Sequence, residues 1–146
     1  MTDFADTEQM PLEAAALFTA MTEGMGLTHS NLVKMFEVAS KDPLRVVRRW
    51  CQGERAIPKP VYQAIEVMYD RLDDAVDAIQ KRVEEAQVRG EAVTLTAYRN
   101  GYDLAAAEPD FKGLPASFHR AVLLRVWEAT GAPVAYAKQD DTAHVS

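Results

Sequence analysis

Apolar residues recur at gaps of three and four through the first two thirds of this chain and change to alternation only near its end. After Pro11, Leu12, Ala15, Ala16, Leu17, Ala20 and Met21 fall at helical spacing, up to the stop Gly24-Met25-Gly26. Thr28 is an N-cap for a second short helix carrying Leu32, Val33, Met35 and Phe36. Asp42-Pro43, a cap residue followed by a first-turn proline, opens a third helix from about Leu44 to Cys51, which Gln52-Gly53 stops. Ala56-Ile57-Pro58-Lys59-Pro60 is a rigid corner, because each proline disfavours helix at the residue before it. The spacing then predicts a long helix from about Pro60 to Arg89. Its apolar stripe is Val61, Ile65, Met68, Leu72, Ala75, Val76, Ile79, Val83 and Ala86, with acidic and basic residues on the other faces.

The period changes at Ala92. Ala92 to Tyr98 alternates and is rich in β-branched residues, so it reads as a strand. A short helix over Gly101–Ala107, a turn at Pro109–Gly113 and an amphipathic helix over Ser117–Ala129 follow, and Pro133–Ala137 reads as a second short strand. Residues 1–10 are expected to be a disordered acidic leader and residues 139–146 a disordered tail. The fold expected is mainly α: a three-helix N-terminal bundle over 11–70, then a long-helix extension and a small α/β region over 71–138.

Composition narrows the function classes. With 48% hydrophobic and 26% charged residues, 146 positions can bury a core without disulfides or a structural metal. Cys51 is the only cysteine, which excludes a disulfide framework and fits a reducing compartment. No apolar run reaches the ~18 residues that cross a bilayer, and the first residues lack the basic start and apolar run of a secretory signal. A cytoplasmic location is expected, with no membrane partner.

Chemistry finds little footing. His29, His119 and His144 stand in separate segments, none in a ligand-like pair, and no Gly-rich phosphate loop or metal motif is present. Cys51 reads as a small apolar residue under a helix. No enzyme, metal or cofactor is expected.

Charge is distributed unevenly. The chain carries −6, yet between Lys34 and Lys59 seven basic residues face three acidic ones, a local net of +4. The third helix holds the centre of that window. With Trp50 as its core anchor and Val46 and Val47 one turn earlier on the same side, Arg45, Arg48, Arg49 and Gln52 project outward. Arg bonds guanine O6 and N7 bidentately, and Gln does the same for adenine. Asp42 is the one acidic residue at helical spacing to pair with these arginines.

Gly26-Leu27-Thr28, Leu32–Phe36 and the run Arg45-Val46-Val47-Arg48-Arg49-Trp50-Cys51-Gln52-Gly53-Glu54-Arg55-Ala56-Ile57-Pro58 resemble the XRE, or lambda-repressor-like, helix-turn-helix family. The remainder is similar to the YdiL-like subgroup, which includes anti-CRISPR-associated (Aca) autorepressors. The pattern carrying that likeness is Leu95–Tyr98, Tyr102-Asp103-Leu104 and Ala121–Trp127. The chain departs from the family in one place: Ala39-Ser40-Lys41-Asp42 lengthens the turn before the third helix, which can tilt that helix.

The resemblance implies a homodimeric repressor on a palindromic double-stranded operator, that of its own operon. Physics asks for the same symmetry, since one short helix reads few base pairs and two copies about 34 Å apart read two half-sites. The base-reading residues expected are Arg45, Arg48, Arg49 and Gln52; those expected at phosphates are Thr28, Ser30, Lys34, Lys41 and Arg55. Phe118, Val122, Leu123, Val126 and Trp127 are expected to form the dimer contact. Two alternatives stay open: an antitoxin or protein-interaction adaptor using the long helix and C-terminal region, and RNA binding through the same basic face.

Overall fold

The computed structural model describes residue 4 and residues 6–138. Along the chain come a 3-10 turn at Leu12–Ala14, then α1 (Ala15–Gly24), α2 (His29–Phe36), α3 (Pro43–Gln52) and α4 (Lys59–Val88). β1 (Leu95–Ala97), α5 (Gly101–Ala107), a 3-10 turn at Pro109–Phe111, α6 (Ala116–Thr130) and β2 (Val134–Tyr136) follow. The chain forms two compact units, with the boundary between Asp74 and Ala75 inside α4. Among the described residues no helix is long and apolar enough to cross a membrane.

The first unit is a helical bundle. Thr28 Oγ1 accepts the Asn31 N–H at 3.1 Å while Asn31 Oδ1 accepts the Thr28 N–H at 2.9 Å, a reciprocal cap that starts α2. Asp42 Oδ1 accepts the Arg45 N–H at 3.2 Å, and Pro43 opens α3. α3 packs on both α1 and α2. Val46, Val47 and Trp50 are its buried face, and Thr19 Oγ1 of α1 donates to the Cys51 carbonyl at 2.9 Å. Ile65 and Leu72 of α4 are fully buried.

Two expectations for this unit need correction. The core stripe of α1 is Ala15, Phe18, Met21 and Thr22, whereas Leu12 and Leu17 are exposed. Both stripes are apolar, and the larger ring decides the phase: Phe18 lies stacked against Tyr62 with centroids 6.2 Å apart. The leader is also not free. The Met10 N–H donates to the Ile57 carbonyl and the Lys59 N–H to the Glu8 carbonyl, each at 2.8 Å. Phe4 meets Trp50 edge-on at 6.2 Å. These long-range contacts tie the leader to the Pro58 corner, a pairing that no local periodicity announces.

Glu37 ends α2 in the left-handed region, at φ 46°. That conformation costs an L-residue about 1–2 kcal/mol, and glycine loses about 0.5–1 kcal/mol more backbone entropy on folding. Glu37→Gly is therefore expected to stabilise the unit by about 0.5–1 kcal/mol. Urea denaturation checks this, and an unchanged or lower midpoint refutes it.

In the second unit, Val83, Leu95, Ala97, Leu123, Val126 and Ala132 form a buried cluster, with Val76 and Ile79 against it. β1 and β2 are parallel, Leu95 opposite Val134 and Ala97 opposite Tyr136, with α5 and α6 in the crossover. The strand expected over 92–98 is only three residues long. Phe118, Val122, Leu123 and Val126, expected at a dimer contact, are at most 3% exposed and make up this unit's own core. A stretch this small draws first on its own apolar side chains to close a core. Of the five, Trp127 alone keeps a substantial exposed surface, at 49%. The 139–146 segment, with His144, lies outside the described residues.

Candidate nucleic-acid interface

α3 is amphipathic in the way its sequence asks. The 100° step per residue puts Arg45, Arg48, Arg49 and Gln52 on one face and Val46, Val47 and Trp50 on the other. Trp50 is 1% exposed, and once it is held its neighbours have no choice of direction. Arg45, Arg48 and Gln52 are exposed along the outer face. Arg49 is half-buried at its edge.

Arg49 has a partner that helical spacing alone did not reveal. Its Nε lies 3.7 Å from Glu54 Oε2. The pair is five residues apart because Gly53 stands between them at φ 74°, turning the chain back over the last turn of the helix. Arg49 O accepts the N–H groups of both Glu54 and Arg55 there. Gly53 is the position that fixes this geometry, since any other residue is strained at that φ. Asp42, expected as the acidic partner of the arginines, instead spends its carboxylate on the cap.

The expected phosphate contacts distribute around this face. Thr28 and Ser30 are exposed at the start of α2 and Lys34 is exposed near its end. Lys41 is exposed in the long turn, and Arg55 is exposed beyond Gly53. The Thr28 hydroxyl accepts one backbone N–H, a bond that leaves its own proton unused. Val38 is buried and Ala39 to Asp42 are exposed, so the inserted residues swell outward from the turn without entering the core.

No protein-family model matches the chain, and no curated protein matches it.

Two other groups have a plain structural place. Burial pushes the Cys51 thiol up, the hydrogen bond with Thr19 opposing and the Glu23 charge assisting. The thiol therefore stays protonated at neutral pH and is a poor nucleophile. His119, expected to be one of three unconnected histidines, is buried between Tyr98 and Phe111 in the second unit. Among the described residues no group of three or more His, Cys, Asp or Glu side chains is placed to hold a metal ion.

Glu54 sits at the rim of the cationic face, where it holds Arg49 and would repel a phosphate. Glu54→Gln is expected to tighten duplex DNA binding about threefold, within the 0.2–1 kcal/mol range of exposed ion pairs. Titration by fluorescence anisotropy at fixed salt checks this, and weaker binding would mean that Arg49 needs Glu54 to hold its pose.

Proposed function

We propose that the chain is a sequence-specific DNA-binding repressor, of the XRE-like helix-turn-helix kind, acting in the cytoplasm as a homodimer on a palindromic operator. The observation that supports this most is the outward row of Arg45, Arg48 and Gln52 on a helix whose opposite side is locked by Trp50. A major groove accepts one helix, and these side chains carry the donor patterns that distinguish guanine and adenine there. α2 packs on α3, and in this reading Thr28, Ser30, Lys34 and the first N–H groups of α2 reach phosphates. Lys41 and Arg55 extend the phosphate contacts at the two ends of α3. The acidic remainder of the chain limits adhesion to unrelated DNA. Repression is then steric: the bound dimer occludes a promoter, that of its own operon.

Selection of duplexes from a random pool by the full chain is the direct test. The expected product is a palindrome whose half-sites lie about one helical turn apart. Binding of that duplex is expected to fall about a thousandfold between 50 and 200 mM salt if the dimer neutralises about six phosphates. Enrichment of no sequence, or a flat salt response, overturns the proposal.

A further inference from the structure

The sheet of the second unit has only two strands, and among the described residues the outer edge of β2 is open and complementary to itself. In the β1–β2 ladder the Leu95 N–H donates to the Pro133 carbonyl at 2.8 Å and the Ala137 N–H to the Ala97 carbonyl at 2.9 Å. Backbone groups alternate sides along a strand, so Pro133, Ala135 and Ala137 face β1 while the N–H and C=O of Val134 and Tyr136 face away. Among the described residues no hydrogen bond reaches those four groups. All three residues of β2 are exposed.

The side chains flanking this edge are mainly apolar, with the Arg99 guanidinium 4.5 Å from the centroid of the Tyr136 ring. Val134 and Tyr136 project to the same sheet face as their register partners Leu95 and Ala97, the face that α6 covers. Together with Leu124, Trp127 and Arg120 of α6 they line a groove of about 450 Å³. Leu124, Trp127, Val134 and Tyr136 are 52%, 49%, 43% and 48% exposed, an apolar patch of the size that often marks an interaction site.

We infer that β2 is the dimer seam: it pairs antiparallel with β2 of a second copy about a two-fold axis at Ala135, forming a four-stranded sheet. This deepens the proposed function by placing its dimer contact, and it rests on that reading for the use of the dimer. In such a pair Val134 of each copy lies opposite Tyr136 of the other, and each couple exchanges two hydrogen bonds, using all four open groups. Ala135 then meets Ala135 of the second copy as the close, non-hydrogen-bonded pair, where a small side chain fits.

The same axis runs the two α6 helices antiparallel with Leu124 at the centre. That sets Arg120, four residues before, on the side of Glu128 of the second copy, four residues after; one guanidinium nitrogen of Arg120 donates to the Tyr98 carbonyl at 2.8 Å, and the pairing would use the others. The four exposed side chains amount to roughly 400 Å² per copy, so with the paired strand backbones the interface lies near about 1,000 Å², the lower bound of a specific contact. The acidic, polar segment 139–146, the other candidate cover, brings only Ala143 and Val145 as apolar side chains.

The test is a cysteine on the axis. Full-length Ala135→Cys in a Cys51→Ser background is expected to form a disulfide-linked dimer nearly completely under mild oxidation, and Ala107→Cys in the same background is not. Val134→Pro removes an N–H from the open edge without touching the β1 ladder, and is expected to shift the chain from dimer to monomer in sedimentation with its circular dichroism unchanged. A dimeric chain in which Ala135→Cys fails to cross-link and Val134→Pro stays dimeric overturns the seam while leaving a DNA-binding dimer intact. A chain monomeric at all concentrations overturns both the seam and the dimer. Loss of DNA selection with cross-linking retained overturns only the proposed function.

Discussion

Replacing Arg45 and Arg48 together with alanine is expected to weaken binding of the selected operator about a thousandfold while leaving the fold intact. Each good bidentate contact to a base is worth about 1–3 kcal/mol of discrimination, and a two-fold dimer presents both arginines twice. The fold should tolerate the change because both side chains are exposed and neither lies in the Val46–Val47–Trp50 face. Alanine is also the better helix former, so surface effects should stay within about 0.5 kcal/mol. Arg48→Lys separates the two kinds of contact: it keeps the charge but loses the planar fork. Lysine is expected to retain most affinity for unrelated duplex while losing preference for the operator. Anisotropy titrations of both duplexes, beside thermal melts, read all of these outcomes. If the double variant binds its operator normally, α3 is not the reading helix.

How much of this was legible beforehand depends on the range of the interactions involved. Three helices, α2, α3 and α4, followed from local signals: Thr28 and Asp42 as caps, Pro43 as a first turn, Gly53 as a stop, and gaps of three and four from Val61 to Ala86. The outward set on α3 followed from one side chain, since burying Trp50 orients its whole helix. Features set by contacts distant in sequence were less accessible. Glu54 reaches Arg49 only because Gly53 reverses the chain, and periodicity does not register such a turn. In α1 two apolar stripes competed, and only the position of Tyr62, more than forty residues on, favours Phe18. In α6 apolar residues occur nearly all around the helix, so the pattern could not separate Val122 and Val126, which close the unit's core, from Leu124 and Trp127, which remain at its surface. The open edge of β2 depends on parallel pairing with β1, which neither strand's own sequence specifies.

Acid is expected to destabilise the second unit through His119. The imidazole is 3% exposed, packed against the ring of Phe111 with centroids 4.8 Å apart and tilted against Tyr98 at 5.8 Å. Its Nδ1 is buried and has no hydrogen-bond partner among the described residues. Burial first, and then the neighbouring Arg120 charge, lower its pKa from 6.5 to about 4. The sign follows directly. Between those two values the unfolded chain takes up a proton that the folded chain refuses, so stability is fully present above about pH 6.5 and declines as the pH falls toward 4. At 1.36 kcal/mol per unit, the loss over that window is on the order of 3 kcal/mol. His119→Phe keeps a ring between Phe111 and Tyr98 and removes the titration. In urea denaturation at pH 7 and pH 4, the wild-type chain should lose about 2–3 kcal/mol more than His119→Phe, the carboxylates being common to both. Parallel losses in the two proteins would mean that the imidazole is protonated inside the fold at little cost. That outcome would require a proton acceptor for Nδ1, and none of the groups packed against it in this structure provides one.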